Sequence, residues 1–312
     1  MAGEQGPEVW RGGVNSWELD EMGHMNVRYY GARAMEGLVG LAAALQMPRA
    51  FAADADATLI VREQHIRFLR EARAGAPLYM TGAVLWMGET DARLLLQLFH
   101  SATGERAATY RLLVSHVTAR DGRPFAWSRL TREAAAALTI PTPDQAAARS
   151  VNDDPVTTIA SVERAAELGL MSASAGAFGA QDCDVFGRMR AELVIGRISD
   201  GMGNVLGDMR MPAPPSADGA PQRSGGAVLE YRLLHWDWPQ AGDRFLIRSG
   251  LAGVEARSQR LIHWMLDPAS GRPWATAEAI AISLDLQARK IIPYSDAHRA
   301  FLQTRLTPGL AL

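Results

Sequence analysis

The chain has 312 residues, 48% of them hydrophobic and 21% charged, which is enough for one large domain or two ordinary ones, each with its own core. Lys and Arg (32) nearly balance Asp and Glu (34), and a formal charge of -2 gives no electrostatic case for binding nucleic acid or an anionic membrane surface. The single cysteine, Cys183, excludes an intrachain disulfide, a CxxC pair and a zinc knuckle. The opening MAGEQGPEVW lacks the basic and apolar regions of a leader, and no run approaches the roughly 18 apolar residues of a membrane span, so a cytoplasmic location is expected.

In chain order, EVWRGGVNSW reads as a short strand, followed by the acidic turn LDEMGHMN and a helix over residues 26–46 with Ala, Leu, Met and Gly at close-packing positions. Four strands follow: TLIVREQHIRFL, PLYMTGAVLWMG, ARLLLQLFHSA and RAATYRLLVSHVTA. Gly75, Gly88-Glu89, Thr103-Gly104 and Asp121-Gly122 mark their turns or ends. Residues 128–170 are Ala-rich, then Pro- and Asp-rich, and carry no strand pattern. The same order then recurs: SASAGAFGAQ, an acidic turn, a helix over 190–210, and the strands AVLEYRLLHW, RFLIRSGLAGV, QRLIHWMLD and WATAEAIAISLDLQ.

The recurrence extends to single residues. Asp20, Gly23, Met25, Arg33, Gly37, Met47 and Pro48 return as Asp184, Gly187, Met189, Arg197, Gly201, Met211 and Pro212, at 184 − 20 = 164. Glu63, Gly75, Arg93, Leu94, Gly104, Ala108 and Thr109 return as Glu230, Gly242, Arg260, Leu261, Gly271, Ala275 and Thr276, at 230 − 63 = 167. A three-residue insertion in the Pro-, Gly- and Ser-rich stretch 213–226, read as a mobile loop, accounts for the difference. The chain is therefore expected to hold an N-terminal repeat, 1–127, a linker, 128–170, and a C-terminal repeat, 171–312. One long helix followed by an antiparallel meander implies an α+β fold in which a sheet curls around a helix. A single such unit leaves sheet edge exposed, so two should pair, and duplication supplies the partner.

Asp20 precedes the helix, where N–H groups lack intrahelical partners, and is expected to be its N-cap, contributing around 1 kcal/mol. His24 alone fits a packed or surface histidine, and Asn26 alone a capping or turn residue. Together they permit more. A helix N-terminus is an oxyanion site, a carboxylate beside it can activate water or attack a carbonyl carbon, and Gly23 lets a ligand approach the backbone. These are the parts needed for acyl transfer.

The pattern Asp20-x-x-Gly23-His24-x-Asn26-x-x-x-Tyr30 resembles the signature that opens the long central helix of hotdog-fold thioesterases, and IVREQHIRFLREARAGAPLYMTGAVLWMG is similar to that family's first two long strands. The two-copy layout resembles the double-hotdog subgroup: a tandem hotdog in which each repeat wraps an antiparallel sheet around a long central helix and the two sheets pair as a pseudo-dimer. The resemblance implies hydrolysis of an acyl-CoA or acyl-carrier-protein thioester without metal or organic cofactor. It implies Asp20 as nucleophile or general base, and Gly23 and His24 at the helix entrance, where backbone N–H groups polarise the carbonyl. Asn26 would orient the water or the carbonyl, and Tyr30 would shape the pocket. Glu18 stands where the family often has another acid. The second turn departs further, with Asp184 and Gly187 kept but Arg188, Arg190 and Val194 in place of His24, Asn26 and Tyr30. It reads as a lapsed site completing the first one's pocket, or as an altered one in which Asp184 acts or Arg188 and Arg190 grip an acidic substrate group.

Other readings fail on the residues. There is no GxSxG elbow, and GMGNVLG (201–207) has Leu206 at the third glycine's place and lies at a helix end. His65, His100, His116, His235, His263 and His298 lack metal-ligand spacing. Trp86, Trp236, Trp238, Trp264 and Trp274 lie in strand patterns and are expected in the core, and Arg62, Arg67, Arg70 and Arg73 are expected to be solvated or to meet phosphates. Glu63 and Glu230 are expected to make a shared structural contact or face solvent, or else to face the site across the pseudo-dimer. Two rivals to hydrolysis stand: a hotdog hydratase or dehydratase, whose D-x-N-P-x-H pattern is absent, and a non-catalytic acyl-thioester-binding protein.

Overall fold

A computed structural model describes residues 6–209 and 224–312. The stretch 213–223 of the expected insertion lies outside them, whereas residues 224–226 open a strand. The elements in order are β1 Glu8–Gly13, α1 Val27–Ala44, β2 Ala57–Phe68, β3 Pro77–Met87, β4 Asp91–His100, β5 Arg106–Thr118, α2 Arg129–Ala137 and α3 Val162–Glu167. Then come β6 Met171–Ala177, α4 Leu193–Leu206, β7 Ser224–His235, β8 Arg244–Val254, β9 Gln259–Leu266, β10 Pro273–Asp285, β11 Lys290–Ile292 and α5 Asp296–Gln303. Both central helices start later and end earlier than their periodicity predicts. Among the described residues no helix is long and apolar enough to cross a membrane.

The chain divides into two compact units. The first comprises Met1–Ala148, Phe178–Gly196 and Trp238–Gly242. The second comprises Arg149–Ala177, Arg197–Asp237 and Asp243–Leu312.

In the first unit the antiparallel strands run β1-β3-β4-β5-β2. The apolar run LLLQLF of β4 is buried throughout, so this strand does not alternate. Helix α1 buries Ala34, Gly37, Leu38, Leu41 and Ala42. Its close approach to the sheet depends on glycine: a Cβ at Gly37 would collide with Met80, and one at Gly40 with the Val9 carbonyl.

In the second unit the order is β7-β10-β9-β8-β6, with β11 paired to β10. Glu230, buried on β7, accepts the Arg149 and Ser150 N–H groups at 2.9 and 2.8 Å. It is a structural contact that holds the start of this unit's chain. Arg232 donates to the Asn152 and Asp154 carbonyls, and Arg260 donates to the Ser150 carbonyl.

The repeat is visible in backbone irregularities. Bulges fall between Glu8 and Trp10 in β1 and between Ser172 and Ser174 in β6. They fall between Val61 and Glu63 in β2 and, at equivalent positions, between Val228 and Glu230 in β7. A third pair lies between Val84 and Trp86 and between Leu251 and Gly253. A bulge interrupts alternation, and it corrects one core expectation: Trp86, just past a bulge, is 53% exposed, whereas Trp264 is fully buried.

Candidate functional site

The acidic turn is a closed loop ahead of α1. Asp20 Oδ1 accepts the Met22 N–H at 2.9 Å and the His24 N–H at 3.1 Å. The Asp20 N–H donates to the His24 carbonyl, and the Gly23 N–H to the Asp20 carbonyl. Gly23 sits at φ +77°, a left-handed conformation that only glycine adopts without strain. Asp20 is therefore not the cap of the helix. That role falls to Asn26, whose Oδ1 accepts the Arg28 N–H at 2.9 Å. The Gly23 and His24 N–H groups are both hydrogen-bonded within the loop. The Val27 N–H, first in the helix, donates to no described partner.

Glu18, buried just upstream, braces the loop. It accepts the Asn15 N–H at 2.8 Å, its carboxylate pairs with Arg33, and its carbonyl receives the Asn26 N–H. Asp182 does the same in the second turn, accepting the Gly179 N–H at 2.9 Å.

His24 is buried, and its Nε2 lies 3.2 Å from Glu71 Oε2. Glu71, in the loop after β2, was not singled out from the sequence. Tyr30 explains how it is held. The buried Tyr30 hydroxyl accepts the Ala72 N–H at 3.0 Å and donates to the Arg70 carbonyl at 3.3 Å, gripping the residues on either side of Glu71. Burial, the largest cause, raises the Tyr30 pKa and keeps this hydroxyl protonated. Tyr30 also meets Phe68 edge-on at 5.2 Å between ring centroids. Tyr30→Phe should keep that packing but strand the buried Ala72 N–H. A loss of about 1 to 3 kcal/mol in denaturant unfolding is expected, and an unchanged midpoint would refute the grip.

Beside Glu71 opens a cavity of about 420 Å³, lined by Arg70, Arg73, His100, Thr103 and Glu105 among others. Its arginines are near acids, with Arg70 at 3.5 Å from Glu105 and Arg73 at 4.0 Å from Glu71. Arg67 donates to the Asp144 and Ala147 carbonyls and so ties down chain.

The second turn copies the first in backbone and not in side chains. Asp184 Oδ1 accepts the Phe186 and Arg188 N–H groups at 2.9 and 3.0 Å, and Gly187 has φ +79°. Met189 donates to the Pro239 carbonyl as Met25 does to that of Ala72, both at 2.8 Å. Yet His24, Asn26, Tyr30 and Glu71 correspond to Arg188, Arg190, Val194 and Trp238. Arg190 lies 3.5 Å from Glu192. Among the described residues no group of three or more His, Cys, Asp or Glu side chains is placed to hold a metal.

The family model of the thioesterase-like superfamily matches residues 14–145 and 178–302, taking in both turns and most of both strand sets. The chain belongs to this superfamily. No curated protein matches it by sequence. Among solved structures it is similar to the 12:0-ACP thioesterase from Umbellularia californica, with a TM-score of 0.64 and 12% identity over 88% of this chain and 93% of that one. It is likewise similar to an acyl-ACP thioesterase from Bacteroides thetaiotaomicron VPI-5482, with a TM-score of 0.63 and 10% identity over 87% and 96% of the two chains. At these identities the likeness establishes a shared hotdog-like fold. As a member of the thioesterase-like superfamily, the chain carries one turn with a histidine–carboxylate pair and one without.

Proposed function

We propose that this thioesterase-like protein hydrolyses acyl thioesters, of coenzyme A or of an acyl carrier protein, at the turn formed by Asp20, Gly23, His24 and Asn26. The observation that carries the reading is the His24–Glu71 pair. A buried imidazole beside a half-exposed carboxylate, next to a second carboxylate and a helix N-terminus, is an arrangement for moving protons at a carbonyl. The second turn, with the same backbone, lacks both members of the pair, so the backbone alone does not require them.

In this mechanism the Val27 N–H at the start of α1 polarises the thioester oxygen. One Asp20 oxygen is fixed by two N–H bonds, and the other takes a proton from water as the water oxygen bonds to the carbonyl carbon. The C–S bond then breaks, and His24, oriented by Glu71, delivers a proton to the departing sulfur. Asn26 holds the start of the helix in register, and Tyr30 positions Glu71. On this reading the chain is a tandem hotdog of two repeats, 1–127 and 171–312, joined by 128–170. Only the first repeat has a complete site.

Thiol release from short, long and aromatic acyl-CoAs and an acyl carrier protein conjugate tests the proposal, with acid and thiol identified as products. Glu71→Gln should lower kcat by about 10-fold to 100-fold with an intact fold, below the full effect of a general acid or base because the glutamate acts through His24. A 3-hydroxyacyl or enoyl product, or binding with no turnover, would replace hydrolysis with one of its rivals.

A further inference from the structure

The cavity beside Glu71 is walled by two turns, residues 70–77 between β2 and β3 and residues 100–105 between β4 and β5, and their backbone is tied down. The Arg70 N–H donates to the Ala107 carbonyl, the Ser101 N–H to that of Pro77 and the Gly104 N–H to that of His100. The Ala72 carbonyl receives the Met25 N–H of the acidic turn, and Glu71 both lines the cavity and meets His24. One segment therefore serves the cavity and the histidine–carboxylate pair. The side chains are less committed than the backbone. Among the described residues the His100 imidazole and the Arg73 guanidinium make no hydrogen bond, and Thr103 Oγ1 accepts the Glu105 N–H at 3.2 Å, leaving its own proton to donate. Arg70 and Glu105, 3.5 Å apart, are both more than half exposed, a pair that solvent screens and a ligand can part.

The second repeat keeps these turns and replaces what they present. The Asp237 N–H donates to the Trp274 carbonyl as that of Arg70 does to Ala107, and the Gly271 N–H to the Asp267 carbonyl as that of Gly104 does to His100. Yet at the 167-residue spacing Arg70, Arg73 and His100 become Asp237, Gln240 and Asp267. The Asp267 carboxylate accepts the Ala269 and Ser270 N–H groups and the Ser270 hydroxyl at 2.9, 3.1 and 2.7 Å, closing its own turn, a task His100 does not perform. The two cations and the imidazole are thus absent from the repeat that lacks His24 and Glu71. Cavity and pair occur together or not at all, which ties the cavity to the chemistry of the first turn.

The lining selects a class of ligand. The guanidiniums of Arg70 and Arg73 are balanced by the carboxylates of Glu71 and Glu105, so the cavity has no excess positive charge while His100 is neutral. Ala76, Pro77 and Ala102 add apolar surface. Balanced charge, with donors and acceptors both present, fits a neutral chain bearing amide N–H and C=O groups better than a phosphate. The volume of about 420 Å³ is that of a small-molecule site. We infer that this cavity receives the amide-bearing arm that ends in the thiol of coenzyme A and of acyl carrier proteins, with His100, Arg73 and Thr103 donating to its carbonyls and Glu105 accepting from its N–H groups. The identity of the ligand rests on the thioester reading above. Glu71 then stands toward the sulfur end of the arm, beside His24.

Steady-state kinetics with one acyl group carried on N-acetylcysteamine, on pantetheine and on coenzyme A tests this, because the first lacks most of the arm and the second lacks only the phosphates and nucleotide. Wild-type kcat/KM should be about 10-fold to 100-fold higher on pantetheine than on N-acetylcysteamine. His100→Asp and Arg73→Gln, the exchanges seen between the repeats, should each reduce that ratio by about 3-fold to 10-fold, and the ratio cancels general damage to the turn. An unchanged ratio in both variants overturns the assignment, and a loss limited to the advantage of coenzyme A over pantetheine replaces it with a phosphate site. Titration calorimetry of the full chain with S-ethylpantetheine, which has no thioester to cleave, reads the cavity without turnover. Wild type should bind it, and both variants, shown to be folded by circular dichroism, should bind it about 3-fold to 10-fold more weakly. Failure to hydrolyse any thioester with this difference intact would remove the thioesterase reading and leave the cavity assignment standing, whereas equal or absent binding overturns the assignment itself. An acyl carrier protein conjugate presents the same arm, and whether its wild-type kcat/KM exceeds that of the coenzyme A thioester identifies the source.

Discussion

Asp20→Asn should reduce thiol release by about 100-fold to 10,000-fold, the range associated with a general acid or base, while the protein remains folded. The substitution separates two functions of one side chain. An asparagine Oδ1 still accepts the Met22 and His24 N–H groups, so the loop and Gly23 keep their geometry. What disappears is the proton affinity of the other oxygen. Asp184→Asn provides the internal control, because Asp184 makes the same pair of backbone bonds in the turn that lacks the histidine and glutamate. It should leave turnover within about 2-fold, since it retains the hydrogen bonds that hold its loop. Steady-state kinetics on both variants decides the matter. Equal losses would mean that the carboxylates only brace loops, and no loss at Asp20 would remove it from the chemistry.

The second large effect concerns stability in acid. Ser249 and His263 face each other across β8 and β9, with Ser249 Oγ 2.8 Å from His263 Nδ1 and both side chains buried. Burial pushes the His263 pKa down from 6.5 to about 3, so the folded protein keeps the imidazole neutral. The unfolded chain takes up a proton near pH 6.5 and the folded one does not until about pH 3, so folding is penalised throughout that interval. This group's contribution is complete above pH 6.5 and is lost as the pH falls, at about 1.4 kcal/mol per pH unit. The equivalent cross-strand pair on β3 and β4 is Gly82 and Leu96, which cannot titrate. Transplanting it as Ser249→Gly with His263→Leu should flatten the acid limb of a denaturant-derived stability profile between pH 6 and 4. Parallel limbs for variant and wild type would show that the histidine is not the cause.

The strands were legible because their apolar runs are bounded by glycine turns, and Gly75, Gly104, Gly242 and Gly271 all adopt positive φ. The repeat was legible because the same residues recur at fixed spacing. The identity of the helix cap was not, since Asp20 and Asn26 are both favoured caps and an aspartate can equally close a local turn on the N–H groups that follow it. The exposure of Trp86 was hidden by a bulge, which leaves no mark in an apolar run. Glu71 was obscured by its neighbours: between Arg70 and Arg73 it reads as part of a solvated charged stretch. Comparing the repeats position by position would have marked it, because Glu71 becomes Trp238 where His24 becomes Arg188.

The matched bulges bear on ancestry. Arg62 and Leu229 occupy the same extra place in β2 and β7, although one is a cation and the other aliphatic. A backbone irregularity shared by both copies, with unrelated side chains on it, belongs to the ancestor before it doubled. Its persistence has a mechanical reason: removing one residue from either strand would turn every side chain beyond it to the opposite face of the sheet. Divergence was thus confined to the choice of side chain on an inherited track, and the ancestral kink became, in one copy, a place to mount an arginine.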